Sequence, residues 1–282
     1  MAQPIIEPVT AAMLPEFAEF LHANLTRARS PKAWVDGLSK SWGMEPPNHG
    51  FVLRDAGKIV GGIGAYYAQR VIRGEIQRTC NITSWCVLDA YRKQSMRLAM
   101  TLVGQKGYHF TDFSPTKVVG GVLQFLKFRP LDGRQAVIVN LPWPALGSNL
   151  LTRSKDIESA LRGDALSAYR DHVDFPWLNH VLIGEANDWC HVIYKLSHFK
   201  GLSSAHIYFL SNTAQFEKHF PRLARYFFLR GIFTTHVECR FLSRNPWPSK
   251  IRSGFNAKVY LSPTLTDNDI DYLYSETMAL DL

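Results

Sequence analysis

The sequence predicts an α/β fold in two tandem lobes, each a mixed central sheet flanked by helices, with the second lobe diverged. Three observations carry the prediction. Alternating and helical hydrophobic periods interchange along the whole chain. The order strand, helix, strand that closes the first half returns in outline after residue 150, which sets the expected lobes at 1–150 and 151–282. Composition is that of a folded chain, with 46% hydrophobic, 12% aromatic and 20% charged residues, outside the range of disordered segments.

In order, Met13, Leu14, Phe17, Phe20 and Leu21 fall on one helical face, with Thr10 before them and Pro15 in the first turn. Residues 51–67 read as two strands joined at Ala56-Gly57, a turn pair suited to a tight hairpin. A further strand is expected over about 71–80, with a bend at Gly74, and another over 82–88. The period then changes: Met96, Ala99, Met100 and Val103 recur at i, i+3, i+4 and i+7, a helix that Gly107 should end. Tyr108 to Phe113 is a short strand, and Ser114-Pro115-Thr116 opens a helix carrying Val118, Val122, Leu123 and Leu126. Gln135 to Leu141 should close the first lobe as a strand.

The second half predicts a polar helix over 155–172, strands near 190–196 and 203–210, and a helix marked by Phe216, Phe220, Leu223 and Phe227. Strands near 234–242 and 258–261 follow, with a closing helix over 267–278 capped at Thr266.

Net charge is +8, and the excess sits in the first half, which holds 17 Lys and Arg against 10 Asp and Glu; the second half is nearly balanced. A basic lobe suits an anionic ligand, whether a phosphorylated cofactor, nucleic acid or a membrane surface. The basic face of the helix with Lys218, Arg222 and Arg225 reads as a solvated amphipathic face, so no nucleic-acid partner is expected. No apolar run reaches the roughly 18 residues of a membrane span. Residues 1–7 show no basic region followed by a long apolar block, so no secretory signal is expected, and Cys80, Cys86, Cys190 and Cys239 have no metal-ligand spacing, so reduced thiols and a cytoplasmic location are expected. There is no HExxH motif, P-loop, GxGxxG or GxSxG, and no metal is expected.

Residues 82–132 carry the chemistry. A strand leads through Asp89-Ala90-Tyr91-Arg92-Lys93-Gln94-Ser95-Met96-Arg97 into a helix, and a second strand and helix end at Phe125-Leu126-Lys127-Phe128. This unit, with the helix and hairpin before it, resembles the GNAT (GCN5-related N-acetyltransferase) superfamily over roughly residues 5–142. The resemblance implies an acyltransferase that moves an acyl group from acyl-CoA or acetyl-CoA, a co-substrate, to a small-molecule or protein amine by direct attack on the thioester. Arg92, Gln94, Ser95, Met96 and Arg97 then form the donor loop, where a helix N-terminus meets pyrophosphate. Cys86 and Val87 line the pantetheine path through their backbone.

The catalytic candidates are Asp112, at the end of the strand bordering the cleft, with Ser84 and His109 behind it. Asp112 and His109 fall on opposite faces of an ideal strand, and Asp112 or Ser114 is equally suited to capping the next helix. The chain departs from the family pattern in its glycine-poor turn, in Leu123 at the position of a tyrosine acid, and in Ser84 at that of a glutamate base. Phe110, Phe113, Phe125 and Phe128 suit an acyl pocket or ordinary core packing. A degenerate lobe used for binding or as a scaffold, and a donor delivered by an acyl carrier protein, are the alternatives.

Overall fold

The computed structural model describes residues 3–144, 147, 149–185 and 187–281. Strand β1 (Ile5–Pro8) leads into helix α1 (Leu14–Asn24), whose first turn contains Pro15. Helix α2 (Pro31–Leu38) follows, with the Ser30 hydroxyl accepting the Ala33 N–H as its cap. It has no counterpart among the expected elements, because eight residues interrupted by Gly37 give too few turns to register a period.

The hairpin of β2 (Gly50–Asp55) and β3 (Lys58–Ile72) turns at Ala56 and Gly57, both with positive φ, as the sequence suggested. Its partner β4 (Glu75–Val87) is one strand where two were expected. The break falls earlier, at Arg73 and Gly74, which take φ of 54° and 79° in a tight turn. Helix α3 (Ser95–Val103), strand β5 (His109–Asp112), helix α4 (Lys117–Phe125) and the short strand β6 (Arg129–Pro130) complete the region. α3 closes at Gly104, three residues before the expected stop at Gly107, which instead takes φ 84° in the turn to β5.

Next come β7 (Gln135–Val139), β8 (Asn149–Leu151), α5 (Ser154–Ala160) and α6 (Gly163–His172). The expected helix over 155–172 is thus two, divided at Leu161 and Arg162, which are both extended. Strands β9 (Asn179–Glu185), β10 (Asp188–Phe199) and β11 (Leu202–Leu210) precede α7 (Thr213–Phe228) and β12 (Thr234–Glu238). The chain ends with β13 (Ser249–Arg252), β14 (Val259–Leu261) and α8 (Glu276–Ala279). No helix spans 267–278. Thr266 and Asp269 close a capping box on a single turn, and Tyr274, with φ 62°, divides it from α8.

The chain forms two compact units. Unit 1 comprises Met1–Leu131, Asn256–Leu265 and Tyr274–Leu282, and unit 2 comprises Asp132–Phe255 and Thr266–Leu273. The expected division at 150 differs from this, because the C-terminal stretch serves both units. The sheet of unit 1 has the order β1-β2-β3-β4-β5-β14-β6, and that of unit 2 the order β8-β9-β10-β11-β12-β7-β13. The two orders match position for position. In each, a parallel pair (β4 with β5, β11 with β12) joins an antiparallel sheet. The sixth strand is exchanged along the chain. β7, expected to close the first lobe, belongs to the second sheet, while β14 pairs with β5 in the first.

The faces of unit 1 follow from alternation. Tyr67, Cys80 and Phe110 share a core with Leu98 and Leu102 of α3 and Leu123 of α4. On the opposite face Tyr66, Asn81 and Thr111 form a row across β3, β4 and β5, on the side of α1 and α2. Gly62 lets this packing close up, since a Cβ there would collide with the Phe17 ring of α1. In unit 2, α7 lays Phe216, Phe220, Leu223 and Phe227 on Val192, Tyr194, Ala205 and Ile207.

Candidate active site

β4 and β5 are paired only over Thr79–Asn81 and His109–Thr111. Beyond that point β5 continues beside β14, and β4 runs on to Val87 with β3 as its only strand neighbour. A fork opens between them, and the edge of β4 from Ile82 to Val87 faces it without a strand partner. The pairing of β4 with β3 skips there, Gly62 opposing Cys86 and Gly64 opposing Thr83, so β4 carries one extra residue. Ser84 takes up this bulge with φ 52°, a left-handed conformation unusual for a residue with a side chain. The bulge resets the alternation: Trp85 and Val87 pack toward α3, and Cys86 turns to the side of Phe17.

Leu88 leads into a turn of 3-10 helix at Asp89–Gln94 and then into α3, whose N-terminus has no side-chain cap. The 3-10 turn runs straight into it, with the Ser95 N–H donating to the Arg92 carbonyl, so the orphan amides of this helical run fall at Asp89 and Ala90 and could meet an anion. Tyr91 anchors the loop through a 2.6 Å hydrogen bond to Asp55. Arg92 is exposed, paired with Asp89 at 2.8 Å. Ser95 opens the helix, with Met96 half-buried behind it. Arg97 turns away, donating to Gln94 Oε1 at 2.8 Å and to the Pro4 carbonyl at 3.4 Å. There it lines an open cavity of about 610 Å³ with Gln3, Ile5 and Met100.

The catalytic candidates part company. His109 is held at both nitrogens, by Ser262 Oγ and Gln77 Oε1 at 2.8 Å each, and burial lowers its pKa. Ser84 is half-buried, its hydroxyl 3.2 Å from that of Thr83. Asp112 is buried where the fork opens, its Oδ1 accepting the Ser114 N–H at 3.2 Å, while Thr116 caps α4. Burial, then the neighbouring Glu276 charge, pushes the Asp112 carboxyl well above the usual range.

Glu276 is the residue that sequence reading missed. It lies 164 positions from Asp112 on a four-residue helix, where no motif marks it. It is fully buried, and burial raises its pKa too. Its Oε1 accepts the Phe113 N–H and the Ser114 hydroxyl at 3.0 Å each, and its own N–H donates to Asn81 Oδ1 at 2.8 Å. Asn81 in turn donates to Thr111 Oγ1 at 3.0 Å. The four phenylalanines expected to suit an acyl pocket do not converge: Phe110 and Phe128 are core residues, and Phe125 is 74% exposed.

Unit 2 repeats the fork. β11 and β12 pair only over Ser204–His206 and Thr234–His236, and β11 bulges at Tyr208. The helix after it is closed, however. Asn212 caps α7 by accepting the Gln215 N–H at 3.1 Å, and the Asp188 carboxylate accepts from Asn212 at 3.2 Å and from the Gln215 amide. Among the described residues, no group of three His, Cys, Asp or Glu could hold a metal ion, and no helix is long and apolar enough to cross a membrane.

Two sheets of one order, each with a forked parallel pair and a helix at its mouth, define a tandem α/β protein. Its fold is that of the GCN5-related N-acetyltransferases, in two copies. A GCN5-related N-acetyltransferase from Anabaena variabilis aligns with a TM-score of 0.61 at 11% identity, over 92% of this chain and 72% of that one. Eis1 from Mycobacterium abscessus aligns with a TM-score of 0.55 at 10% identity, over 91% and 73%. A GCN5-related N-acetyltransferase from Kribbella flavida gives 0.54 at 11%, over 91% and 70%. No protein-family model and no curated protein matches the sequence.

Proposed function

We propose that unit 1 is an acyltransferase that moves an acyl group from acyl-CoA to an amine. The observation that carries this reading is the fork with its bulge, opening beside a helix N-terminus that no side chain caps. The solved structures of like fold include proteins described as N-acetyltransferases. Donor phosphates would sit at the helical turn from Asp89 into α3, where Ser95 offers little bulk and Arg92 has room to swing from Asp89. The pantetheine arm would run along the free edge of β4 past Cys86 and Val87. An amide of the bulged strand would then face the thioester carbonyl and hold the charge that develops as the amine attacks. Gln94 and Arg97 shape the loop through their mutual bond, and Met96 packs behind it.

The amine attacks the thioester directly, without a covalent enzyme intermediate. Burial raises the pKa of the Cys86 thiol, which opposes the thiolate that a covalent route needs. Asp112 stands at the fork beside Glu276, and proton transfer falls to this carboxyl pair; Ser84 contributes through the shape of the bulge, and His109, held at both nitrogens, supports the strand.

Calorimetry with CoA and acetyl-CoA tests the reading. Binding is expected, weakened by about three- to tenfold in Arg92→Ala as one phosphate contact is lost. No binding of either ligand would remove the proposal and leave the scaffold reading or a carrier-protein donor.

A further inference from the structure

Glu276 and Asp112 reach the fork from opposite faces of the sheet. Asp112 follows the parity of Phe110, on the side of α3 and α4, and is register partner to Val259 of the same core. Glu276 is bonded to Asn81, on the side of α1 and α2. Two carboxyls on opposite faces of a closed sheet would be screened by its backbone. These interact because β4 and β5 have parted between them.

The Glu276 carboxylate is half used. Oε1 has two donors, while Oε2 is buried with no hydrogen-bond partner. A second polar atom on that face is in the same condition: the Tyr66 hydroxyl is fully buried and unpartnered, and the Glu276 charge disfavours its ionisation. A buried polar atom left without a partner costs about 1–3 kcal/mol or more, so an Oε2 in that condition, with the Tyr66 hydroxyl within reach of its charge, points to a missing donor.

We propose that Glu276 is the catalytic proton acceptor of unit 1, its Oε2 meeting the amine that attacks the thioester, and that Asp112 is the positioning residue holding the pair's proton. This rests on the acyl-transfer reading above. The Phe113 N–H and the Ser114 hydroxyl stabilise charge on Glu276, whereas Asp112, facing the apolar core, keeps its proton. As the amine nitrogen bonds to the acyl carbon, the carbon–sulfur bond breaks. The amine proton passes to Oε2 and from there to the departing thiolate, leaving amide and free CoA thiol. The acceptor this suits is a primary amine presented from the side of Tyr66 and Asn81.

Glu276→Gln keeps the oxygen that Phe113 and Ser114 need and cannot take the proton. With acetyl-CoA and n-butylamine as probes, thiol release should fall by about 100-fold in this variant and its pH profile should lose the carboxyl's inflection, keeping only the rise from deprotonation of the amine itself, while CoA affinity changes by less than about twofold. Asp112→Asn, which replaces a protonated carboxyl with a neutral amide, should leave the midpoint of the profile in place and remove any second inflection at higher pH. Unchanged rate and profile in Glu276→Gln, with CoA still bound, would overturn the assignment. A second measurement needs no turnover or variant: in protein labelled with ¹³C at glutamate carboxyls, the Glu276 resonance should shift when acetyl-CoA saturates the site. A resonance that stays put at saturation overturns the assignment as well. Failure of CoA to bind at all counts against the acyl-transfer reading itself.

Discussion

Unit 1 fills its fork with two carboxyls, and unit 2 fills the equivalent place with a neutralised ion pair. In unit 2, Glu238 at the end of β12 accepts from Arg240 at 2.6 Å and from the Tyr272 hydroxyl, and Tyr272 lies edge-on to Tyr208 at the bulge. The Arg240 guanidinium also donates to the Ile270 carbonyl and covers the Phe241 ring at 4.1 Å. Every charge there has a partner of opposite sign, and the helix at the mouth of that fork is capped. Unit 1 has a like-charged pair and an uncapped helix. One architecture thus appears once with its fork carboxylate paired to a guanidinium and its helix capped, and once with two carboxyls and no side-chain cap; buried polar atoms without a partner occur in both, at Tyr66 and Glu276 in unit 1 and at Ser204, Gln215 and Arg240 in unit 2.

The largest expected effect breaks the settled fork. Glu238→Ala leaves Arg240 charged and buried without its carboxylate, and should cost about 3–5 kcal/mol in denaturant unfolding. A loss below about 1 kcal/mol would mean that water reaches the pair, and that unit 2 is as open as unit 1.

The two units should also fail at opposite ends of the pH scale. Burial lowers His180 and His236 from 6.5 to about 4, and holds His191 well below its usual value. The unfolded chain takes up these protons first, so their contribution is intact above about pH 6.5 and is lost as pH falls toward 4. His180 and His236 are each worth on the order of 2 kcal/mol across that window. Asp112 and Glu276 have raised values, so their contribution is full below the ordinary carboxylate range and shrinks as pH rises through it. Hydrogen exchange read by mass spectrometry should show β9–β12 losing protection in acid. It should show β4, β5 and the segment around Glu276 losing it toward alkaline pH, an effect that Asp112→Asn reduces but does not abolish, because burial alone raises Glu276. Parallel loss in both units would refute the contrast.

A smaller effect sharpens the comparison at the helix mouths. Asn212→Ala should cost about 1 kcal/mol, the usual value of a lost N-cap. Gln94→Ala at the start of α3 should cost only about 0.5 kcal/mol, because no cap bond is present to lose and the bond from Arg97 is partly exposed. Chemical denaturation of both variants measures the difference directly.

What was legible in the sequence follows the range of the forces involved. The hairpin turn at Ala56-Gly57, the period of α3 and the apolar face of α7 are set by neighbours a few residues apart, and they were readable. The strand exchange was not. Gln135–Val139 has the same alternation whichever sheet it joins, and only the pairing partner tells. The closing helix failed for a related reason: its apolar residues serve two different cores, Tyr272 in unit 2 and Met278 in unit 1, so helical spacing there records no single face. In the candidate site, Asp112 was visible from its place at a strand end, whereas Glu276 becomes a neighbour only after the C-terminal segment has packed.

The smallest effect concerns the bulges. Ser84 adopts φ 52°, while among the described residues the bulge of β11 at Tyr208 has no residue of positive φ. A left-handed residue with a Cβ carries about 1 kcal/mol of strain. Ser84→Gly should therefore gain roughly 0.5 kcal/mol, once the greater freedom of glycine in the unfolded chain and the lost contact to Thr83 are subtracted. A branched residue should show the opposite sign, with Ser84→Val costing about 1–2 kcal/mol. Tyr208→Gly in unit 2 removes no such strain and loses the ring packed on Tyr272, so it should only destabilise. If Ser84→Gly destabilised as Tyr208→Gly does, the unit 1 bulge would be held by its own side chain. If it stabilises, the strain is maintained by the sheet around it, as expected where a backbone shape is kept for the amides it exposes.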